Sequence, residues 1–154
     1  MKIFSLLIAS LMLLLVSCSD DSNSPSDASG LRLGQMTATI DGKPFKSNLA
    51  QAKLLGNSTV QIGAANTSGE MITLVIPSTS VGTFSTGQAF LSIVPPSNPT
   101  QGEYYFANFI TYTITSYQNN EIAGSFSFIG RQETGDKMKN VDDVRFRAKL
   151  ISQQ

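Results

Sequence analysis

The stretch FITYTITSYQNNEIAGSFSFI, Phe109–Ile129, decides the fold. Apolar and polar residues alternate on both sides of Asn119-Asn120, the period-2 pattern of two half-buried strands, and the polar break between them reads as a hairpin turn. A two-residue turn at Asn119-Asn120 sets Tyr117 opposite Ile122 and Thr113 opposite Phe126, leaving Tyr112 and Ile114 against serines. A three-residue turn, Gln118-Asn119-Asn120, pairs Ile114 with Gly124, Tyr112 with Phe126 and Ile110 with Phe128. Register follows the apolar face, and asparagine tolerates the left-handed backbone of a bulged turn, so the three-residue turn is expected.

The same alternation extends in both directions. Toward the N-terminus, Met36, Ala38 and Ile40 alternate with Thr37 and Thr39, and Asp41-Gly42 suits a two-residue turn with φ > 0 at both positions. Lys43-Pro44-Phe45 returns, and Pro44, which lacks a ladder donor, makes that return short or an edge. Residues 49–55 and 59–65 read as strands around Gly56-Asn57-Ser58. Residues 71–76 are apolar on both faces, which predicts a central strand covered on both sides and ended by Pro77. Residues 89–94 form a further strand, and the proline-rich segment 95–99 an exposed loop. Toward the C-terminus, residues 132–140 are a charged loop. Val144, Phe146, Ala148 and Leu150 then alternate with Arg145, Arg147 and Lys149 in a closing strand. No window carries a helical apolar stripe. The expectation is one all-β domain over residues 35–154, an antiparallel β-sandwich or flattened barrel of about eight to ten strands.

The N-terminus follows different rules. Met1-Lys2 is a short positive region, and residues 3–16 are an apolar run of fourteen residues interrupted only by Ser5 and Ser10. As a helix that run spans about 21 Å, short of the roughly 30 Å of a bilayer's hydrocarbon core, so residues 1–17 read as a cleaved export signal. Leu15-Val16-Ser17-Cys18 resembles the bacterial lipobox, in which the cysteine thiol is acylated and becomes the new N-terminus. Cys18 is the only cysteine, so no intramolecular disulfide is available to it. Each buried methylene of an acyl chain contributes about 0.8 kcal/mol, and two chains anchor stably. The membrane is therefore the expected partner, reached through acyl chains on Cys18. Ser19-Asp20-Asp21 resembles the acidic surface-export tag of Bacteroidota lipoproteins, with Ser22 where a third acidic residue often stands. Residues 18–34 are rich in Ser, Asp, Asn, Pro and Gly, and read as a disordered tether. The expected location is the outer membrane with the domain facing outward, the alternative being a domain facing the periplasm.

Composition narrows the chemistry. The full chain carries eleven basic and eleven acidic residues, and loss of Lys2 with the signal leaves a net charge near −1. No long-range field attracts nucleic acid, so none is expected as a partner. With no histidine, His-dependent nucleophilic catalysis and His-ligated metals are excluded, and with no tryptophan the strongest sugar-stacking ring is missing.

Ala38-Thr39-Ile40-Asp41-Gly42-Lys43-Pro44-Phe45, Gly82-Thr83-Phe84, Ile114-Thr115 and Gly124-Ser125-Phe126-Ser127-Phe128 together resemble an uncharacterised family of Bacteroidota lipoproteins. The resemblance implies a lipobox, a short linker and a single all-β domain. Its motifs are turn and core signatures, and it implies no catalytic residues.

Five features compete as sites. Arg145, Arg147 and Lys149 share a strand face, suited to anionic glycans or headgroups but equally to the charged surface of an edge strand. Glu133, Asp136, Asn140, Asp142 and Asp143 supply oxygen atoms, but their spacing matches no calcium loop and Lys137 and Lys139 intrude, so no metal or other cofactor is expected. Tyr104, Tyr105, Phe106, Phe109 and Tyr112 form an aromatic run that alternation splits between two faces, as core packing or as an exposed platform. Glu70, Glu103 and Glu121 lie on or beside strands and are the candidate carboxylates of a hydrolase. Cys18 is the lipid-attachment site. The reading favoured is a non-enzymatic binding module for a glycan, peptide or partner protein. A purely structural lipoprotein is second and a carboxylate-based hydrolase third.

Overall fold

The computed structural model describes residues 30–56 and 58–151, so the signal segment, Cys18 and Ser19-Asp20-Asp21 lie outside the described residues, as does Asn57. Nine strands follow one another: β1 (Gln35–Ile40), β2 (Lys43–Ser47), β3 (Gln51–Leu55), β4 (Thr59–Ala65), β5 (Glu70–Ile76), β6 (Gly82–Ile93), β7 (Glu103–Gln118), β8 (Glu121–Arg131) and β9 (Met138–Ile151). Among the described residues no helix is long and apolar enough to cross a membrane.

The described residues are all-β, and their nine strands form one sheet in the order β2-β1-β9-β3-β4-β5-β6-β7-β8. β9 also pairs with β8, so the ring from β3 through β9 closes on itself as a flattened barrel. Closure corrects two expectations. β3 runs parallel to β9, Gln51 opposite Lys149 and Lys53 opposite Ile151, so the sheet is mixed rather than wholly antiparallel. The closing strand is also no edge: β9 lies between β8 on one side and β1 followed by β3 on the other.

The free edge is β2. Asp41 and Gly42 have φ of 46° and 78°, the geometry of the expected two-residue turn. Ile40 and Lys43 close that turn, and Pro44 sits one pair further, opposite Thr39. At that non-hydrogen-bonded position an N–H would point to the open edge, where its absence costs no ladder bond and discourages a further strand.

The β7–β8 hairpin resolves the competition between the two registers. Its turn is the two-residue Asn119-Asn120, both left-handed at φ 52° and 59°, with Tyr117 opposite Ile122. A bulge between Ile114 and Ser116 then shifts the ladder by one residue. Beyond it, Ile114 faces Gly124 and Tyr112 faces Phe126, the pairs that the apolar face demands. The chain therefore uses the tighter turn and recovers register by a bulge, not by a three-residue loop. The expected Ile110–Phe128 pair is absent; Ile110 pairs with Gly87 of β6.

Inside the ring, alternate residues make one core: Ile62, Ile72, Leu74, Leu91, Tyr105, Tyr112, Ile122, Phe126, Phe146 and their neighbours. Phe126 packs against Phe128 and Phe146 at centroid distances of 6.0 and 6.2 Å, and Phe84 stacks on Tyr112 at 5.5 Å. Rings this large fit because glycines face them. A Cβ on Gly124 would lie 2.3 Å from the Thr113 carbonyl oxygen and 2.9 Å from the Phe146 ring. β5 departs from expectation: Ile72, Leu74 and Ile76 are buried inside, but Met71 is exposed and Val75 half-buried on the outer face. Ahead of β1, Gly34 donates to the Arg147 carbonyl and accepts from the Ala50 N–H.

Gly124→Ala is expected to cost about 1–3 kcal/mol through overpacking, because both the carbonyl and the ring it would strike belong to packed strands. Urea denaturation beside the wild type measures it, and an unchanged midpoint would show that the β7–β8–β9 wall yields freely.

Candidate functional site

Cross-strand pairing brings the outward residues of β5, β6 and β7 into rows. Met71, Ser92 and Tyr104 form one row, and Thr73, Phe90 and Phe106 the next. Arg131 and Met138 continue the second row across β8 and β9. Val75, Gln88 and Asn108 make a third. Phe90 and Phe106 meet edge to face at 5.4 Å. The aromatic run thus divides as alternation expects. Tyr105 and Tyr112 enter the core, whereas Tyr104 is 53% and Phe106 38% exposed on the outer wall. The readings of core and of exposed platform each describe part of the run.

Phe109 was legible only as a member of that run, and its role is set by the backbone. Asn108 pairs with Gln88 while Ile110 pairs with Gly87, so Phe109 is an extra residue bulged out of β7. Its φ is 58° and its side chain is 83% exposed. A bulky residue in the left-handed region carries strain of about 1–3 kcal/mol. The ring borders a shallow depression of about 190 Å3 lined with Val75, Pro77, Thr86, Gln88 and Asn108. A second depression of about 300 Å3 lies along Gln61, Met71, Thr73, Phe90, Tyr104 and Phe106. Val75 lines both, and neither is lined by a charged side chain. Aromatic faces flanked by amide and hydroxyl groups suit a flat, neutral, hydroxyl-bearing ligand.

The other candidates are placed elsewhere. Arg147 is held by Glu121 Oε2 at 2.9 Å from Nη2 and reaches the Leu31 carbonyl, and Lys149 pairs across the ladder with Glu121. The basic row is therefore divided on an interior strand, with Arg145 left exposed. Of the acidic group, the Asn140 N–H donates to Asp41 Oδ1 and the Asp143 N–H to Ser127 Oγ. Among the described residues no three of His, Cys, Asp and Glu stand together as metal ligands.

The candidate carboxylates also have partners. Glu70 accepts from Asn66 Nδ2 at 2.7 Å. Glu103 accepts from Lys137 Nζ at 2.9 Å and from the Tyr105 hydroxyl at 2.7 Å. Both glutamates flank Ile93, two strands apart, or roughly 10 Å. Hydrogen bonds from Lys137 and then Tyr105 hold the Glu103 carboxyl below the ordinary glutamate value, the reverse of what a general acid needs. Burial, followed by the bond to Glu103, pushes the Tyr105 phenol up to about 12. Nearby, hydrogen bonds from Lys139 and the Asn140 N–H depress the Asp41 carboxyl, while the bond to Asp41 raises Lys139.

These pairs link the β1–β2 turn to the start of β9 and the β8–β9 loop to β7, and they set a pH dependence. The depressed Asp41 and Glu103 stabilise the fold above their unfolded values, and that contribution is lost as pH falls through the folded ones, below about 4. The raised Lys139 contributes below its unfolded value and loses that contribution as pH rises through the folded one, above 10.5. Asp41→Asn should therefore shallow both limbs of the stability–pH curve, read by thermal melts from pH 2 to 11; limbs unchanged from wild type would assign the dependence to other groups.

No curated protein and no solved structure matches the chain. One family does, over residues 34–148, which begins one residue before β1 and ends within β9. The match spans well over half of the sequence, and the chain belongs to DUF6252, a family defined by a domain of unknown function.

Proposed function

We propose that this chain is a lipid-anchored lipoprotein of the Bacteroidota outer membrane whose β-domain binds a neutral glycan on the outer face of β5–β7. The observation that carries the binding role is Phe109. A folded chain does not retain a left-handed, solvent-facing phenylalanine for packing, since the ring contributes little burial there and the backbone is strained. Its position beside Gln88 and Asn108, continuous with Tyr104 and Phe106, makes it the outer anchor of an aromatic platform. The depressions offer amides, hydroxyls and rings with no carboxylate, amine or guanidinium among them, a lining that binds and orients a neutral ligand rather than transferring protons to it.

The anchor rests on the sequence: the apolar run closed by Leu15-Val16-Ser17-Cys18, and Ser19-Asp20-Asp21 as the tag that directs the domain outward. Acyl chains on Cys18 hold the protein at the membrane, and the tether sets the platform a short distance from it.

Phe109→Gly separates binding from folding. Glycine adopts the bulge without strain, so thermal stability should hold or rise by about 1 kcal/mol. Retention on immobilised neutral hexasaccharides of glucose, xylose or mannose should fall about tenfold or more, as for loss of an interface anchor. A variant that binds as well as wild type, or a wild type that binds none of these sugars, would overturn the platform.

Protease shaving of intact cells tests the location. Wild-type domain should be lost without lysis, while Cys18→Ala should leave the membrane fraction. Protection until the outer membrane is opened would place the domain toward the periplasm.

A further inference from the structure

A third depression lies further along the outer face of β7, where β7 meets β8 and β9. Outward residues of five strands align there as Thr83, Thr113, Ser125, Arg145 and Thr37, each directly paired with the next. Thr83 and Thr113 join hydroxyls at 2.9 Å, and Ser85 and Thr111 at 3.1 Å. Thr111, Thr113, Ser125, Ser127, Asp143 and Arg145 border a polar depression of about 270 Å3.

β9 is bulged at this place. Val144 pairs with Phe126 but Val141 with Phe128, and on the other side Arg145 pairs with Thr37 but Asp142 with Thr39. Asp143 takes up the extra residue at φ 50°, with its N–H on Ser127 Oγ. Bulges of this kind re-aim a side chain, and this one sets a carboxylate beside Arg145 on the rim of the same depression. Arg147 is engaged by Glu121 and Leu31. Arg145 is therefore the guanidinium of the basic row that faces this depression.

We propose that this wall is a site for an acidic saccharide, a uronic-acid residue whose carboxylate pairs with Arg145 and whose ring hydroxyls bond to Asp143, Ser125 and Thr113. A guanidinium fork matches a carboxylate bidentately, and an adjacent carboxylate accepts vicinal sugar hydroxyls. Asp143 also selects: it repels a compact dianion such as phosphate or sulfate, while a uronate carries a single charge with hydroxyls beside it. The site shares no side chain with the aromatic platform, so either can fail without the other.

The test is an amide NMR titration of the detergent-solubilised full chain with a galacturonate tetramer and with the same tetramer carboxyl-reduced to galactose. Saturable shifts should centre on Thr113, Ser125 and Arg145 with the galacturonate, and affinity for the reduced tetramer should be lower by about tenfold or more. Arg145→Gln should abolish these shifts, Arg145→Lys should retain a weaker response, and Phe109→Gly should leave them unchanged. Equal affinity for the reduced tetramer, binding undiminished in Arg145→Gln, or no saturable shifts would overturn the site. Binding confined to phosphatidylglycerol vesicles or inorganic phosphate would overturn it in favour of a headgroup or adventitious ion.

Discussion

The position of β9 between three partners is the constraint on which the rest depends. It pairs with β8 from Met138 to Lys149, with β1 beside Val141 to Arg147, and with β3 beyond that. Without β9, β8 and β3 would be the two edges of an open meander and the β1–β2 hairpin would have no sheet to join. Closure removes those edges, leaving a short β2 whose Pro44 blunts the one that remains. It also makes a single interior, where Val141, Val144, Phe146 and Ala148 meet residues from every side of the ring.

A closed ring of long strands must bend, and the bends are where chemistry becomes visible. β7 is interrupted at Phe109 and near Thr115, and β9 at Asp143. Each interruption breaks the strict alternation of faces and turns one side chain outward. At Phe109 the result is an aromatic ring beside amides; at Asp143 it is a carboxylate beside a guanidinium. The strained residues are the ones that enter solvent, while the regular stretches between them fill the core. Strain kept at exposed positions and compensated by buried packing is how a scaffold presents binding groups.

The candidate sites were unequally legible. Alternation placed Tyr105 on one face and Tyr104 and Phe106 on the other, because neighbouring side chains on a strand point oppositely. It said nothing about whether that other face is covered. β5 was expected to be buried on both sides, yet Met71 and Val75 look outward onto the platform. The basic row was read as one surface on an edge strand, and only pairing across β8 and β1 divides it, giving Arg147 to Glu121 and leaving Arg145 on a polar wall. Nothing local to Phe109 or Asp143 signals a bulge, because a bulge reconciles the registers of two ladders made by distant segments.

The sequence by itself determined the all-β class and the place of most strands, although β6 and β9 begin earlier, at Gly82 and Met138, than the expected strand from residue 89 and the expected loop to residue 140. Two-residue periodicity and left-handed turn residues such as Asp41-Gly42 are properties of the local backbone. It also determined which apolar pairs had to meet, Ile114 with Gly124 and Tyr112 with Phe126. Tertiary structure alone decided how they meet, through a tight turn corrected by a bulge. It also decided that β9 is central, that β3 joins it in parallel, and that Phe109 faces solvent. The physical reason is range: alternation and turn conformation are settled within a few residues, whereas strand neighbours are settled by closing one barrel around one core, with contacts that span more than a hundred residues of chain.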